Sequence, residues 1–565
     1  MDRRVLIQRV LLVALAVLVA LFTYPGAMVA SFATRITPPP TSSRGPAGAL
    51  SWLHVEHPSG AIPYIADDEA RMVFLHGATP ASLLEFGPRN QPEYPIDPAA
   101  YENGQCPANK AESKYPPLCE ADVAQMARLG FNVIRLPISW SLLEPQRGQF
   151  SRTYIDRVAQ IVDWARAEGI YVIVDMHQNA YSNFVGASDS SVDLGQYSGA
   201  PAWATFTDGL PSHVFVKQRE VNPAVLEATT NFWYDRNGIQ DEYLAALAHI
   251  ARRFRDDPVV AGYGVYNEPL IGWGLPPGFE DLLLFPFYRR AIDAITGAHD
   301  GLPCWSGFFM PAVCGYRNLG AGDARHLIFL DTGLLREVTD FPTHLSMPLS
   351  SYPNTVLALH AYTHFYTVDH LLPQLVSSTT YPWGGYDQSY SLGEHEARAM
   401  GAALFVSEFG SPPDDDSRLL ASQVVEQERH RTGFAFWTWK ENGGSGAWGI
   451  YASPKNAADP NGCLRSDREQ LLARIYPRAT ADTNLVFRYD SGNGSFSLDA
   501  VGDVGDAATV VYVPPEVTGD VTVTGAASTI VDQGADGSRL VTTSPTGGAF
   551  GVQVAAATLN LTGCD

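Results

Sequence analysis

Glu268, in Gly262-Tyr-Gly-Val-Tyr-Asn-Glu-Pro269, and Glu408, in Ala403-Leu-Phe-Val-Ser-Glu-Phe-Gly410, each stand at the C-terminal tip of an apolar run. A charge at the end of core-type residues is costly to place unless a function uses it. Two carboxyls facing one another across a cleft are the equipment of glycosidic-bond hydrolysis. With a gap of about 5 Å one attacks the anomeric carbon while the other protonates the leaving oxygen, and configuration is retained; a wider gap seats a water and inverts it.

Other polar or aromatic residues end similar runs. Arg135 closes Val133-Ile-Arg-Leu-Pro137 and can hold Glu408 ionised, and Tyr362, just after Leu359-His-Ala, can donate its phenol to the same carboxylate. Asn267 offers an amide to a sugar 2-hydroxyl, where hydrogen bonding strengthens in the transition state. His177 and His360 are expected as neutral donors, and Trp437 as a stacking floor for a sugar ring. Singly, each has a structural alternative; together they place polar groups at the ends of five runs and a tryptophan at a sixth.

Such groups need strands to aim them. Met72–Leu75, Asn132–Pro137, Tyr171–Met176, Val259–Tyr266, Leu327–Leu330, Thr355–Leu359, Leu404–Ser407 and Phe434–Trp437 are nearly continuous in Val, Ile, Leu and Phe, as parallel strands covered on both faces are. Between them Glu120–Leu129, Tyr154–Glu168 and Asp241–Phe254 carry apolar residues at helical spacing. Eight strands alternating with helices predict an α/β fold, a (β/α)8 TIM barrel, in which strand ends collect catalytic groups. Beyond about residue 477 short alternating runs separated by Asp/Gly-rich turns predict a C-terminal all-β sandwich. The expected divisions are a signal peptide over 1–30, a linker over 31–60, the catalytic barrel over 61–476 and the sandwich over 477–565.

The leader reading rests on Arg3, Arg4 and Arg9 before the apolar run Val10 to Phe22, which is too short to span a bilayer comfortably. It predicts a secreted, extracellular protein, with an uncleaved N-terminal membrane anchor as the alternative. Six cysteines fit an oxidising compartment, with expected pairs Cys106–Cys119, Cys304–Cys314 and Cys463–Cys564. A net charge of −22 argues against nucleic acid as a partner. No Cys-x-x-Cys or His-rich cluster suggests a metal, and no cofactor is expected.

The set Arg135, His177, Asn267-Glu268-Pro269, His360-Ala-Tyr362, Ser407-Glu408-Phe409-Gly410 and Trp437 resembles the signature of glycoside hydrolase family 5, over about residues 65–450. The resemblance implies that Glu268 is the acid/base and Glu408 the nucleophile. Leu129-Gly-Phe-Asn-Val-Ile-Arg-Leu-Pro-Ile-Ser-Trp140, Asp175-Met-His-Gln178 and Ser198-Gly-Ala-Pro-Ala-Trp-Ala-Thr205 are similar to the endoglycoceramidases, which release an intact oligosaccharide from ceramide and carry a C-terminal β-sandwich. That likeness implies a glycolipid substrate made of oligosaccharide plus ceramide, bound in part through Trp203, with transient membrane or micelle contact by a monomer. Two departures stand out: Asn179 replaces the aspartate of a His-Gln-Asp motif, and Gly77-Ala-Thr-Pro-Ala-Ser-Leu-Leu84 lacks the lysine that grips the ceramide-linked glucose. They point toward a galactosylceramide-directed or broadened preference.

A lipid substrate also needs apolar surface beside the sugar. Gly272–Phe279, Leu282–Tyr288 and Tyr381–Tyr386 are candidates, the second equally readable as the start of a helix. The competing functions are a polysaccharide endo-β-glucanase or mannanase, with an open groove of stacking tryptophans, and a non-catalytic glycan-binding protein, which the presence of both glutamates disfavours.

Overall fold

The computed structural model describes residues 50–563, apart from 86–91, 186–196, 213–218, 274, 276–278, 300, 302–303, 305–312, 341–351, 363–385, 412–416, 444–446, 454–461 and 534–536. The expected leader, most of the linker and Cys564 lie outside the described residues.

Eight strands close into a barrel: β1 (His76–Thr79), β2 (Val133–Ile138), β3 (Tyr171–Met176), β4 (Val260–Gly264), β5 (Leu327–Asp331), β6 (Thr355–His360), β7 (Ala403–Phe409) and β8 (Gly433–Trp437). Each runs parallel to the next, and β8 pairs with β1. Every residue of the first seven strands is buried, which is why their sequences carry no polar alternation. One face packs inward through Val133, Ile173, Phe329, Val356 and Phe405. The other meets helices such as α1 (Glu120–Arg128), α2 (Arg152–Ala167) and α3 (Ile239–Phe254). In α2 the side chains of Ile155, Val158, Ile161 and Val162 are buried on that layer, each contributing about 1.5–3 kcal/mol. The strands pack tightly enough that a Cβ on Gly262 would come within 2.0 Å of the Leu327 carbonyl oxygen on β5.

The first strand differs from its expected position. Met72–Val73 leaves the barrel and pairs antiparallel with Tyr476–Thr480 of the C-terminal region, and the barrel strand begins at His76. Met72 and Phe74 are buried in the C-terminal core, so the run is apolar for two cores in succession. At the crossing Asn132 accepts from the His76 N–H at 2.7 Å and donates to the Phe74 carbonyl at 2.9 Å, occupying the backbone groups that change partners.

Tyr476–Thr480, Thr509–Val513, Ser538–Pro545 and Ala526–Gln533 join three short N-terminal strands (His54–Glu56, Tyr64–Ala66, Met72–Val73) in a seven-stranded sheet. Val486–Asp490, Ser495–Gly502, Gly548–Val554 and Val521–Thr524 form a four-stranded sheet. The sheets share a core that includes Phe487, Leu498, Val511, Val541 and Val552. This unit is fastened to the barrel: the Tyr476 and Tyr512 hydroxyls donate to the carbonyls of Gly130 and Arg128 at 2.7 and 2.8 Å, and Arg128 pairs with Glu516 at 2.5 Å. Gly130, at φ 87°, is required twice over, because a Cβ there would also enter the Tyr512 ring.

Disulfides join Cys106 to Cys119 and Cys304 to Cys314. Cys463 is also disulfide-bonded. No helix of the described residues is long and apolar enough to cross a membrane.

His76 is stacked between Phe434 and Tyr476, with ring centroids 4.3 and 3.9 Å away, where barrel and sandwich meet. Burial, and then the charges of Arg474 and Arg478, hold its pKa well below the ordinary value. The unfolded imidazole titrates near pH 6.5. The unfolded state therefore binds the proton first as pH falls, so this contribution is full above about pH 6.5 and is lost below it. Replacing His76 by Phe keeps the stack and removes the titration. The variant's Tm should fall less than the parent's between about pH 6.5 and 5; parallel Tm-against-pH curves for the two proteins would remove His76 from the account.

Candidate active site

All the polar strand ends converge on the barrel's C-terminal mouth. Glu408 lies on β7 opposite His360 of β6, and the register with both neighbouring strands slips between Val406 and the end of β7. Such an irregularity re-aims side chains, and here it accompanies a Glu408 that points to the mouth. Glu268 lies just past β4 with φ 42°, a left-handed conformation that costs a non-glycine residue about 1–3 kcal/mol. Three hydrogen bonds hold it there. Its N–H donates to Asp331 Oδ2 at 3.1 Å, and Gln178 Nε2 donates to the carbonyls of Asn267 and Glu268 at 2.6 and 3.2 Å.

Both Glu408 oxygens have donors: Arg135 Nη1 on Oε1, and the Tyr362 hydroxyl on Oε2 at 2.9 Å. Arg135 Nη2 also donates to Asn267 Oδ1 at 2.8 Å and lies 3.0 Å from Asp175 Oδ2. Burial works against the Arg135 charge, but Asp175, Glu408 and Asp331 outweigh it and raise its pKa. Asp175 has room because β4 has glycine opposite; a Cβ on Gly264 would come 2.0 Å from Asp175 Oδ1. Against its burial, Arg135 and then His177 hold the Asp175 carboxyl below the usual range.

His177 donates from Nδ1 to Asp175 Oδ2 at 2.9 Å and stacks on Trp437, with centroids 5.5 Å apart and planes 8° from parallel. Its Nε2 is buried without a hydrogen-bond partner. Trp437 is half-buried, with Tyr115 edge-on to its ring at 5.8 Å.

His360 departs from its expected neutrality. Its Nδ1 is 3.1 Å from Glu268 Oε1 and 3.7 Å from Glu408 Oε2, and its Nε2 is 3.3 Å from Asp331 Oδ2. Burial disfavours the charged ring, but Glu408, Glu337 and Asp331 raise its pKa well above the ordinary value. The carboxylates around His360 therefore favour its protonated ring. In turn, against its own burial, the hydrogen bond and charge of His360, then Arg219 and His177, hold Glu268 below the usual carboxylate range. Because one nitrogen touches both glutamates, Glu268 Oε1 and Glu408 Oε2 lie no further apart than the sum of 3.1 and 3.7 Å. That ceiling leaves out most of the roughly 6.5–9.5 Å range of inverting pairs.

Asn179 accepts from Arg219 Nη2 at 3.2 Å, so a cation approaches the position where the expected motif carries an acid. Trp203 donates from Nε1 to the Glu144 carbonyl at 3.1 Å, and its ring packs edge-on against Trp140. Lys114, later in the connection after β1, lies 3.3 Å from Glu441 and over the Tyr115 ring that borders Trp437. Asp175 and Gln178, both within the motif around His177, also join the site, as do Asp331, Glu337 and Arg219, which no motif marked. Glu268, Glu337 and His360 offer ligand atoms within 4.8 Å of one another, a set open to a cation only if His360 gives up its proton.

Of the apolar stretches, Leu283, Leu284, Phe287 and Tyr288 are buried in the helix Asp281–Thr296, which makes them core. Trp273, in Gly272–Phe279, is 54% exposed. Residues 381–385 lie outside the described residues.

The family model for cellulase (glycosyl hydrolase family 5) matches residues 103–443. Endoglycoceramidase I of Rhodococcus hoagii (strain 103S) is 24% identical over 422 residues, covering 70% of this chain and 72% of that protein. A crystal structure of endogalactoceramidase superposes with a TM-score of 0.66 at 26% identity, covering 90% of this chain and all of that one. Endo-glycoceramidase II from Rhodococcus sp., in complex with ganglioside GM3, has the same fold, with a TM-score of 0.65 at 23% identity over 88% of this chain and all of that one.

Proposed function

The chain belongs to glycosyl hydrolase family 5 and is a glycoside hydrolase; on that premise we propose that it cleaves the β-glycosidic bond between oligosaccharide and ceramide by double displacement. The observation that carries the mechanism is the single imidazole within 3.7 Å of both Glu268 and Glu408, with Arg135 and Tyr362 committed to Glu408. The endoglycoceramidase and endogalactoceramidase relatives support the substrate.

Glu408 is the nucleophile. Its carboxylate bonds to the anomeric carbon as the glycosidic C–O bond breaks, and Glu268 gives its proton to the ceramide oxygen. Water then attacks the anomeric carbon, Glu268 takes the water's proton, and Glu408 leaves with the bonding pair. Arg135 and Tyr362 aim Glu408 before attack, and offset its charge again on departure. Asn267 spends its Oδ1 on Arg135 and one N–H on the Gln178 carbonyl at 2.9 Å, which leaves its second N–H for the sugar 2-hydroxyl. The partnerless Nε2 of His177 accepts from a further hydroxyl, and Trp437 floors the ring. In the free protein His360 keeps Glu268 ionised, the state needed for the second step. Covering its 17% exposed side chain with the aglycone removes water and raises its proton affinity for the first.

The Asn179–Arg219 pair, in place of an acid, supports a preference for, or broadening toward, galactose as the ceramide-linked sugar. The protein acts as a monomer, outside the cell, in brief contact with membrane or micelle; its disulfides suit that compartment. The test offers purified protein galactosylceramide, lactosylceramide, a ganglioside, cellulose and mannan, and identifies products by mass spectrometry. Free ceramide with an intact glycan is the expected result, with the galactosyl-headed lipid cleaved at least as fast. Oligosaccharides from a polysaccharide alone would replace the lipid reading with the glucanase one, and strong preference for glucose would end the galactose assignment.

A further inference from the structure

Five carboxyls crowd this site. Glu268, Glu408, Asp331 and Glu337 all lie within 3.8 Å of the His360 ring, and Asp175 lies 3.0 Å from Arg135. Among the described residues His360 and Arg135 contact them, and Arg219 adds positive charge near Glu268. Like charges this close in a buried site do not all ionise, so at least one carboxyl keeps its proton.

Glu337 is the best placed to do so. It lies on the short helix Leu334–Thr339 after β5, and its side chain is 0% exposed. Among the described residues its Oε1 receives only the Thr332 hydroxyl, at 3.3 Å. Its Oε2 is buried without a hydrogen-bond partner, 3.8 Å from His360 Nδ1. Glu408, by contrast, has Arg135 and Tyr362, and Asp175 has Arg135 and His177. The groups facing Glu337 from neighbouring elements are His360 on β6, Glu268 after β4, Asp331 on β5 and Glu408 on β7. Arg336, next to it on its own helix, is engaged by Asp340 and Glu396. The Glu337 carbonyl also accepts from the Tyr362 N–H at 3.3 Å, so this residue holds the segment that presents the phenol to Glu408.

We propose that Glu337 is a positioning residue that stays a neutral carboxylic acid in the resting enzyme, leaving His360 Nδ1–H to Glu268 instead of competing for it. Burial, offset in part by His360 and reinforced by Glu268, Asp331 and Glu408, pushes its carboxyl well above the usual range, in keeping with the geometry. An ionised Glu337 would draw the imidazolium away from Glu268 and add repulsion beside Glu408. This inference rests on the roles given above to Glu268 and Glu408, but not on the lipid substrate.

The test compares Glu337→Gln, which copies the neutral acid, with Glu337→Ala, using infrared spectroscopy of the resting protein and hydrolysis of an aryl β-glycoside. At neutral pH the parent-minus-Gln difference spectrum should contain one protonated-carboxyl C=O band. The Gln variant should keep kcat within about fivefold, while Ala loses about 30-fold in kcat with KM moving less than about threefold. A difference spectrum showing only a lost carboxylate band, or a Gln variant as slow as Ala, overturns the proposal. Should Ala fail to fold, the difference band and the Gln rate decide it. Failure on every glycolipid would defeat the substrate assignment alone, since neither readout uses lipid.

Discussion

Glu408→Ala lowers kcat by about 10⁵ or more on glycolipid and aryl glycoside alike, because no covalent intermediate forms without the nucleophile. Added azide restores turnover by attacking from the vacated face, and the product is a glycosyl azide of inverted configuration. NMR of that product is the check; a retained azide from this variant would exchange the two glutamates' roles. Glu408→Gln is the companion, since it keeps the side-chain volume beside Arg135 and Tyr362. It stays equally inactive and separates lost chemistry from lost structure. Removing one partner of a buried ion pair costs about 3–5 kcal/mol, so both variants melt below the parent.

Glu268→Gln has a smaller and more selective effect. On a ceramide glycoside, whose leaving oxygen must be protonated, kcat/KM falls by about 10²–10⁴. On an aryl glycoside with an acidic phenol the first step needs no proton, and the loss is much less. The pH profile follows from the direction of the Glu268 shift. His360 holds its carboxyl below the usual range in the free protein, and the first step needs it protonated. Parent kcat/KM on glycolipid therefore falls as pH rises through that titration, which places the optimum on the acid side. The Gln variant has no proton to lose, and this alkaline limb disappears from its profile. An unchanged limb in Glu268→Gln, or an equal loss on both substrate types, would take the acid role from Glu268.

The two glutamates differ in how legible they are. Glu408 ends a seven-residue buried strand, and a charge there stands out from its neighbours. Glu268 is separated from the end of β4 by Val265, Tyr266 and Asn267, and is held in place by Gln178 and Asp331 from two other strand ends. Its position along the chain is readable; its left-handed backbone is not.

The amino-acid sequence by itself determined the barrel, because strands buried on both faces must be apolar along their whole length, and that pattern is local. It determined the oppositely placed glutamates for a similar reason, since a carboxyl ending such a run contrasts with everything before it. Only the tertiary structure decided that Met72 belongs to a second core, that four carboxyls surround the His360 ring, and that Asp175, Asp331 and Glu337 crowd the same few ångströms. Those outcomes depend on which residues meet across the mouth, and on electrostatic energies that vary with separation in space and not along the chain.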